Sequence, residues 1–309
     1  MMIKDFKDGL AIKQNFLVTQ INKGVTASGQ PYLTIILQDK TGQIEGKFWD
    51  IKPEMESLIE VGAFLLVDGD VSAYRQVLQV RINQVQRLNP DTIRLEDYTM
   101  SAPVPLKQLA EELKVAIARI TDPDYLKLTQ TLIEQHYDAF LTYPAAVRNH
   151  HEYTSGLIYH TLSMIKVAVA LIPLYPKINS SLVYAGILLH DLGKTVEFTG
   201  PVIPKYSTEG KLIGHLQWMA GKIQSLGETL NIHREKVMLL QHLVLSHHGK
   251  PEFGSAVMPL TKEALFVSMV DDFDAKMTIV DKALDATEPG QFTNRIFALD
   301  DRSFFKPKS

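Results

Sequence analysis

His190 and Asp191 stand side by side at the end of an apolar run, Leu182 to Leu189, and Gly193 and Lys194 follow at once. The run reads as a buried helix. A carboxylate at its end must be paired, neutralised or bound to a cation, because an isolated buried charge is very costly. Further candidate ligands are His160, His215, the His247-His248 pair and Asp271. Each lies at or near the end of an apolar helical stretch, and the intervals between them let each helix return to a common point. His160 or His215 alone reads as an ordinary core histidine, and so does His242, which has apolar neighbours and no motif. The combination points instead to a centre for one or two divalent ions, and hydrolysis is the chemistry such a centre favours. The chain has no cysteine, which excludes disulfides and thiolate zinc sites. Mixed imidazole and carboxylate ligands suit manganese, iron, cobalt or zinc.

The elements that must position these residues change character near residue 90. Before it, Tyr32, Thr34 and Ile36 alternate with Leu33, Ile35 and Leu37, a period of two. Asp39 to Gly42 reads as a turn, and Gln43 to Trp49 resumes the extended pattern. An early strand around Phe16 to Ile21, a short helix over Pro53 to Glu60, and strands over Val61 to Val71 and Val77 to Ile82 complete the set. Five strands with a helix between the third and fourth is the layout of a partly open barrel, the OB-fold. Residues 1–89 are therefore read as a nucleic-acid-binding domain. The prolines of residues 90–105 mark a linker. An all-α domain over 106–285 follows, with helices expected over Leu106–Ile120, Pro123–Tyr137, Tyr153–Leu171, Ser180–His190, His215–Leu230, Arg234–Ser246 and Lys262–Leu284. Thr121-Asp122 and Asn179-Ser180 offer N-caps. Phe198 to Gly214, rich in Gly and Pro, reads as a long loop near the ligands. The tail, 286–309, carries Phe292, Phe297, Phe304 and Phe305, which suggests docking onto the body.

A net charge of −3 argues against a chain coated in basic charge for duplex binding, but not against a local basic groove. The opening MMIKDFKDGL lacks the apolar core of a signal peptide. No apolar run reaches the roughly 18 residues needed to span a bilayer. A cytoplasmic protein without a membrane partner is expected.

The order H…HD…H…HH…D, with HDLGK intact, resembles the HD-domain metal-dependent phosphohydrolases over about residues 150 to 285. The matching residues are His160, His190-Asp191, His215, His247-His248 and Asp271. Asp271 fits better than Asp272, because the family's D-x-x-D-A-K segment then falls on residues 271–276. With the barrel in front, the chain is similar to the YhaM-type 3′→5′ exoribonucleases. The strings YLTIILQDKTG, NHHEYTSGLIYHTLSM, YAGILLHDLGK, LQHLVLSHHGKPE and DAKM carry that likeness over nearly the whole chain. The resemblance implies hydrolysis of single-stranded RNA from its 3′ end to nucleoside monophosphates, with manganese or a similar ion. Attack from the 3′ end rests on the resemblance alone.

Beside the resemblance, Asp191 has two oxygens and could bridge two ions. His160, His190 and Asp271 would complete one site, and His215 and His247, with or without His248, the other. Such a pair, about 3.5–4 Å apart, clamps a phosphate and needs no Ser or Cys nucleophile. Lys194 would neutralise charge on the phosphate, or simply favour a helix C-terminus. His150 and His151 would contact the phosphate or transfer a proton, or merely start a helix. Asp274 shares the face of Asp271 and would orient a ligand or pair with a surface lysine.

On the barrel, Tyr32, Trp49 and Tyr74 are candidate base platforms, with Lys47, Arg75 and Arg81, and also Lys40, as phosphate contacts. Trp49 shares a strand face with Lys47, and Phe48 belongs to the core. Arg75-Gln76 forms a hairpin tip without the family's glycine. Single-stranded DNA is a second expected substrate, and a homo-oligomer is left open. Two other readings stand: a phosphohydrolase of free or cyclic nucleotides, and a non-catalytic nucleic-acid-binding regulator with a structural metal.

Overall fold

The computed structural model describes residues 1–26, 29–49, 51, 53–74, 77–89, 92–94, 97–99, 101–146 and 153–308. They divide into two units, Met1–Ser101 and Ala102–Ser309.

In the first unit the period-two pattern becomes strands β1 (Ala11–Val25), β2 (Pro31–Asp39), β3 (Gly42–Trp49), β4 (Phe64–Tyr74) and β5 (Val77–Arg87), with a single helical turn, α1 (Pro53–Glu56), after β3. They close into a barrel in the order β1-β2-β3-β5-β4. Among the described residues only the β3–β5 strand pairing is parallel; the others are antiparallel. Leu33, Ile35 and Leu37 point inward with Phe16, Leu65, Val67, Val80 and Ile82, all at most 3% exposed. The turn after β2 is fixed by Asp39, whose carboxylate accepts from Thr41 N and Oγ1 at 2.7 and 2.6 Å.

β1 and β5 are longer than their sequence patterns suggest. Residues 11–17 of β1 pair with β4 and residues 17–25 pair with β2, with a register shift between Val18 and Gln20. The polar end of β5 is held as strand because Arg87 still pairs with Leu65. Backbone pairing overrides side-chain pattern at both places. After β5, Tyr98 returns to the barrel: its ring packs on Phe64 at 5.1 Å, and its carbonyl accepts from Gln38 Nε2 at 2.9 Å.

The second unit is helical: α2 (Leu106–Ile117), α3 (Pro123–Gln135), α4 (Tyr137–Thr142), α5 (Gly156–Leu171), α6 (Ser180–Leu189), α7 (Lys194–Glu197), α8 (Thr208–Leu212), α9 (His215–Thr229), α10 (Arg234–Ser246) and α11 (Lys262–Asp285). Asp122 caps α3 by accepting from Asp124 N and Tyr125 N, and Asn179 caps α6 by accepting from Leu182 N. Every residue of α6 from Ser181 to Leu189 is buried, so this helix is the centre of the core. It approaches α10 closely: a Cβ at Gly186 would lie 2.4 Å from Leu243 Cδ2.

Four expectations are corrected. The helix expected over Pro123–Tyr137 breaks at His136, whose φ of −124° and ψ of 16° leave the helical region before α4 starts. The stretch Phe198 to Gly214 is not all loop; Phe198 bridges Tyr206, and α8 follows. The 19 residues Gly156–Leu174 are helical, and long and apolar enough by composition to cross a bilayer. Their apolar side chains, Leu157, Ile158, Leu162, Met164, Ile165 and Ala168, lie in the core of the helical unit. Finally, the tail folds back on itself through the bridges Phe292↔Phe305 and Ile296↔Arg302. It buries Leu299 and leaves Phe297 90% and Phe292 66% exposed, so Leu299 and the half-buried Phe304, which line one groove with Met269, Phe273 and Met277, provide the seat instead of Phe292 and Phe297.

Candidate metal centre

Five helices bring the ligands together. His160 lies in the second turn of α5, His190 caps the C-terminus of α6 with Asp191 next, and His215 begins α9. His247 caps the C-terminus of α10, with His248 next, and Asp271 is in α11. His160, His190, Asp191 and His247 are at most 3% exposed. Asp191 is the hub: its carboxylate lies 3.3 Å from His190 Nε2, 3.4 Å from His215 Nε2 and 3.7 Å from His247 Nε2. Three groups bring their ligand atoms within 4.8 Å of one another: Asp191, His215, His247 and His248; His160, His190 and Asp191; and His190, His247 and Asp271.

The hydrogen bonds say which ring nitrogen is free. His190 Nδ1 lies 2.7 Å from Ile187 O, and His247 Nδ1 lies 2.8 Å from Val244 O. A carbonyl only accepts, so both Nδ1 atoms carry the proton and both Nε2 atoms keep a bare lone pair. Among the described residues, His190 Nε2, His215 Nε2, His247 Nε2, His248 Nδ1 and Asp191 Oδ1 are buried without a hydrogen-bond partner. Orphaned polar atoms are costly one at a time. Here they cluster, and each has a lone pair to donate, so this donor set fits divalent cations.

Burial lowers the affinity of His247 for protons far below the usual imidazole range, helped by neighbouring His248 and His190. Burial also lowers His248. Both rings are therefore neutral, as ligation requires. For His160, burial acts downward but is outweighed by its contacts with Asp271 and Asp274, and the group is pushed up to about 10. Asp191 is held well below the usual carboxylate range: burial raises it, and Lys194, His190 and His215 outweigh that. Asp271 is lowered too, mainly by His160 acting against burial. Lys194 opens α7 and does not close α6, and its Nζ sits 2.7 Å from Asp191 Oδ2.

The comparisons agree with this architecture. An HD domain model matches residues 157–276, and an OB-fold nucleic acid binding domain model matches residues 17–88. The 3′-5′ exoribonuclease YhaM of Geobacillus sp. (strain WCH70) is 43% identical over 306 residues, covering 99% of this chain and 94% of that relative. The chain belongs to the YhaM family of 3′-5′ exoribonucleases. Among solved structures, the second OB-fold domain of replication protein A from Methanococcus maripaludis covers 30% of this chain and 98% of its own, at 18% identity and a TM-score of 0.25. The protein PriB from Ralstonia solanacearum covers 25% of this chain and 97% of its own, at 15% identity and a TM-score of 0.22.

In this YhaM-family chain, two carboxylates stand behind the ligands. Asp274, 6% exposed, lies 2.7 Å from His160 Nδ1, and Ser163 Oγ donates to its other oxygen. It therefore backs a histidine, while Lys276 of the same helix pairs with Asp272 at 2.7 Å. Glu197, which sequence reading missed, faces His215 Nδ1 at 3.1 Å. The only signal for it was a carboxylate three residues after Lys194 in HDLGKTVE. His242 accepts from Leu260 N at 2.9 Å and stands as a satisfied, half-buried histidine.

On the barrel, Trp49 is 42% exposed and Phe48 6%. Trp49 stacks on its register partner Tyr32 at 4.6 Å, and Lys47 Nζ lies 5.6 Å from the centre of the Tyr32 ring. Arg81 is Lys47's neighbour across the β3–β5 ladder. Tyr74, 59% exposed, pairs with Val77 and so stands towards the other end of β5 from this group. Lys40 is paired with Asp97 at 3.1 Å. His150, His151, Arg75 and Gln76 lie outside the described residues.

Proposed function

We propose that the chain is a metal-dependent 3′→5′ exoribonuclease that hydrolyses single-stranded RNA to nucleoside monophosphates, with single-stranded DNA as a second substrate. The observation that carries the chemistry is the cluster of buried lone pairs around Asp191 that no hydrogen bond satisfies. The name of the Geobacillus relative supports the polarity and the RNA substrate.

Two ions are proposed, manganese first, with cobalt, iron and zinc as alternatives of similar ligand preference. His160, His190 and Asp271 would hold one, His215, His247 and His248 the other, and Asp191 would reach both. When bound, such ions supply an activated water and neutralise charge at the scissile phosphate. The protein fixes the ligands: neutral His247 and His248 keep their lone pairs, and ionised Asp191 keeps Oδ1 clear of any hydrogen bond while its Oδ2 accepts from Lys194. Lys194 adds positive charge beside the phosphate position, where charge grows in the transition state. His151 is proposed to hand a proton to the leaving group. The barrel would hold the strand, with bases on Trp49 and Tyr32 and phosphates on Lys47, Arg81 and Arg75; Tyr74 would meet a more distant nucleotide.

The test uses single-stranded RNA labelled at either end, incubated with and without Mn²⁺. The 3′ label is expected to leave first as a mononucleotide, while the 5′-labelled strand shortens stepwise. Early release of the 5′ label, or undiminished turnover in chelator, contradicts the proposal. Free nucleotides outcompeting oligonucleotides as substrate would contradict the RNA assignment alone.

A further inference from the structure

His215 is held differently from the two histidines it joins. His190 and His247 each donate from Nδ1 to a carbonyl three residues earlier in their own helix, so each is aimed by the helix that carries it. His215 is the first residue of α9, and no earlier turn of that helix exists to aim it. The group facing it is Glu197, the last residue of α7. Glu197 Oε1 lies 3.1 Å from His215 Nδ1 and also accepts from the His215 backbone N–H at 3.3 Å. Gly214, the residue before α9, supplies no side-chain cap, so one carboxylate both caps the helix and grips the ring.

Glu197 is itself firmly seated. It is 8% exposed. Its carbonyl accepts from Ser207 N at 2.8 Å. Gly210 packs so closely that a Cβ there would lie 2.5 Å from the same oxygen. A seated acceptor on Nδ1 fixes the proton there, which leaves the lone pair on Nε2, the atom 3.4 Å from Asp191 Oδ1.

We propose that Glu197 is a positioning residue for ion binding: its carboxylate sets the tautomer and direction of His215, so the ion held by Asp191, His215, His247 and His248 depends on it. This rests on the metal-dependent reading above. The carboxylate makes His215 a stiffer ligand than a free imidazole, and loss of such a partner generally costs about 10- to 100-fold in metal affinity.

The experiment is Mn²⁺ titration of the ion-stripped full chain, with free Mn²⁺ followed by electron paramagnetic resonance. Wild type, Glu197→Gln and Glu197→Ala are compared, and the ion-free melting temperature of each is recorded. Glu197→Ala is expected to weaken Mn²⁺ binding about 10- to 100-fold. Glu197→Gln keeps an acceptor but loses the charge, and about a threefold or greater weakening is expected. A role in helix capping alone would lower the ion-free melting temperature and leave Mn²⁺ affinity at the wild-type value. That result in either folded variant overturns the inference, and Glu197→Gln decides the matter should the alanine variant not fold. Failure of wild type to bind Mn²⁺ at all overturns the manganese-dependent reading and this inference with it; wild-type binding that Glu197→Gln matches overturns this inference alone.

Discussion

Asp191 has two classes of counter-ion: the Lys194 ammonium 2.7 Å away, and whatever cation the surrounding imidazoles accept. Without ions, Lys194 is the nearest charge that compensates a carboxylate only 3% exposed. Removing one partner of a buried pair costs about 3–5 kcal/mol. Lys194→Met is therefore expected to destabilise the chelator-treated protein by about that much, and added Mn²⁺ should return most of it. Urea unfolding with and without Mn²⁺ reads both numbers; a loss that Mn²⁺ does not reverse would deny that ions and Lys194 share Asp191. His160 sets a pH dependence of definite sign. Its affinity for protons rises from the ordinary 6.5 to about 10 on folding. Between those values the folded state holds a proton that the unfolded state has released. The stabilisation is complete below about pH 6.5 and is lost as pH rises through about 10, at up to about 1.4 kcal/mol per pH unit. Asp191 and Asp271 act oppositely, because folding lowers them; their contribution is present above about pH 4 and lost on acidification. In chelator, the urea midpoint should fall between pH 7 and 10 in wild type and much less in His160→Gln. Equal slopes would show that His160 carries no such proton.

At the scale of elements, the centre depends on how closely α7, α9 and the HD turn pack. A Cβ on Gly193 would lie 2.5 Å from the backbone oxygen of His215 and 3.0 Å from its Cβ. Backbone cannot rotate out of the way as a side-chain tip can. Gly193→Ala is expected to cost about 1–3 kcal/mol by overpacking and to weaken Mn²⁺ binding by displacing His215. Thermal melting and Mn²⁺ titration test the two effects, and an unchanged Mn²⁺ affinity would show that α9 does not register against this turn. Much of this level could be read from residues alone. Apolar spacing with the caps Asp122 and Asn179 located the long helices, and alternation in YLTIILQ located the barrel strand and its inward face. Elements set by distant partners could not be read. The ends of β1 and β5 are polar and are strand only because a neighbour pairs with them. Glu197 acquires its role only when residues 198–214 fold back and bring His215 beside it. No local pattern encodes that return, whereas His and Asp at helix ends announce themselves by chemical type.

At the scale of the molecule, the proposed function gives the RNA strand to the barrel and the ions to the helical unit. The barrel face with Trp49, Tyr32, Lys47 and Arg81 includes Glu45, paired with Lys47 at 2.9 Å, so it is not uniformly basic. Stacking on Trp49 should therefore contribute more to strand affinity than bulk charge does. Trp49→Ala is expected to weaken binding of an RNA oligonucleotide by about 1–3 kcal/mol, seen as a raised KM with kcat nearly unchanged. An unchanged KM would place the strand elsewhere. The ligand centre, in contrast, draws on five helices of one unit, so it should form whether or not RNA is present.

A centre that forms without RNA can be tested most directly in a crystal. Crystals of the RNA-free protein soaked in Mn²⁺ would give anomalous difference peaks wherever ions bind. Two peaks are expected about 3.5–4 Å apart, with the Asp191 carboxylate between them, one beside His160, His190 and Asp271 and the other beside His215, His247 and His248. Protein from the same preparation that degrades RNA yet shows no peak among these residues would contradict the account.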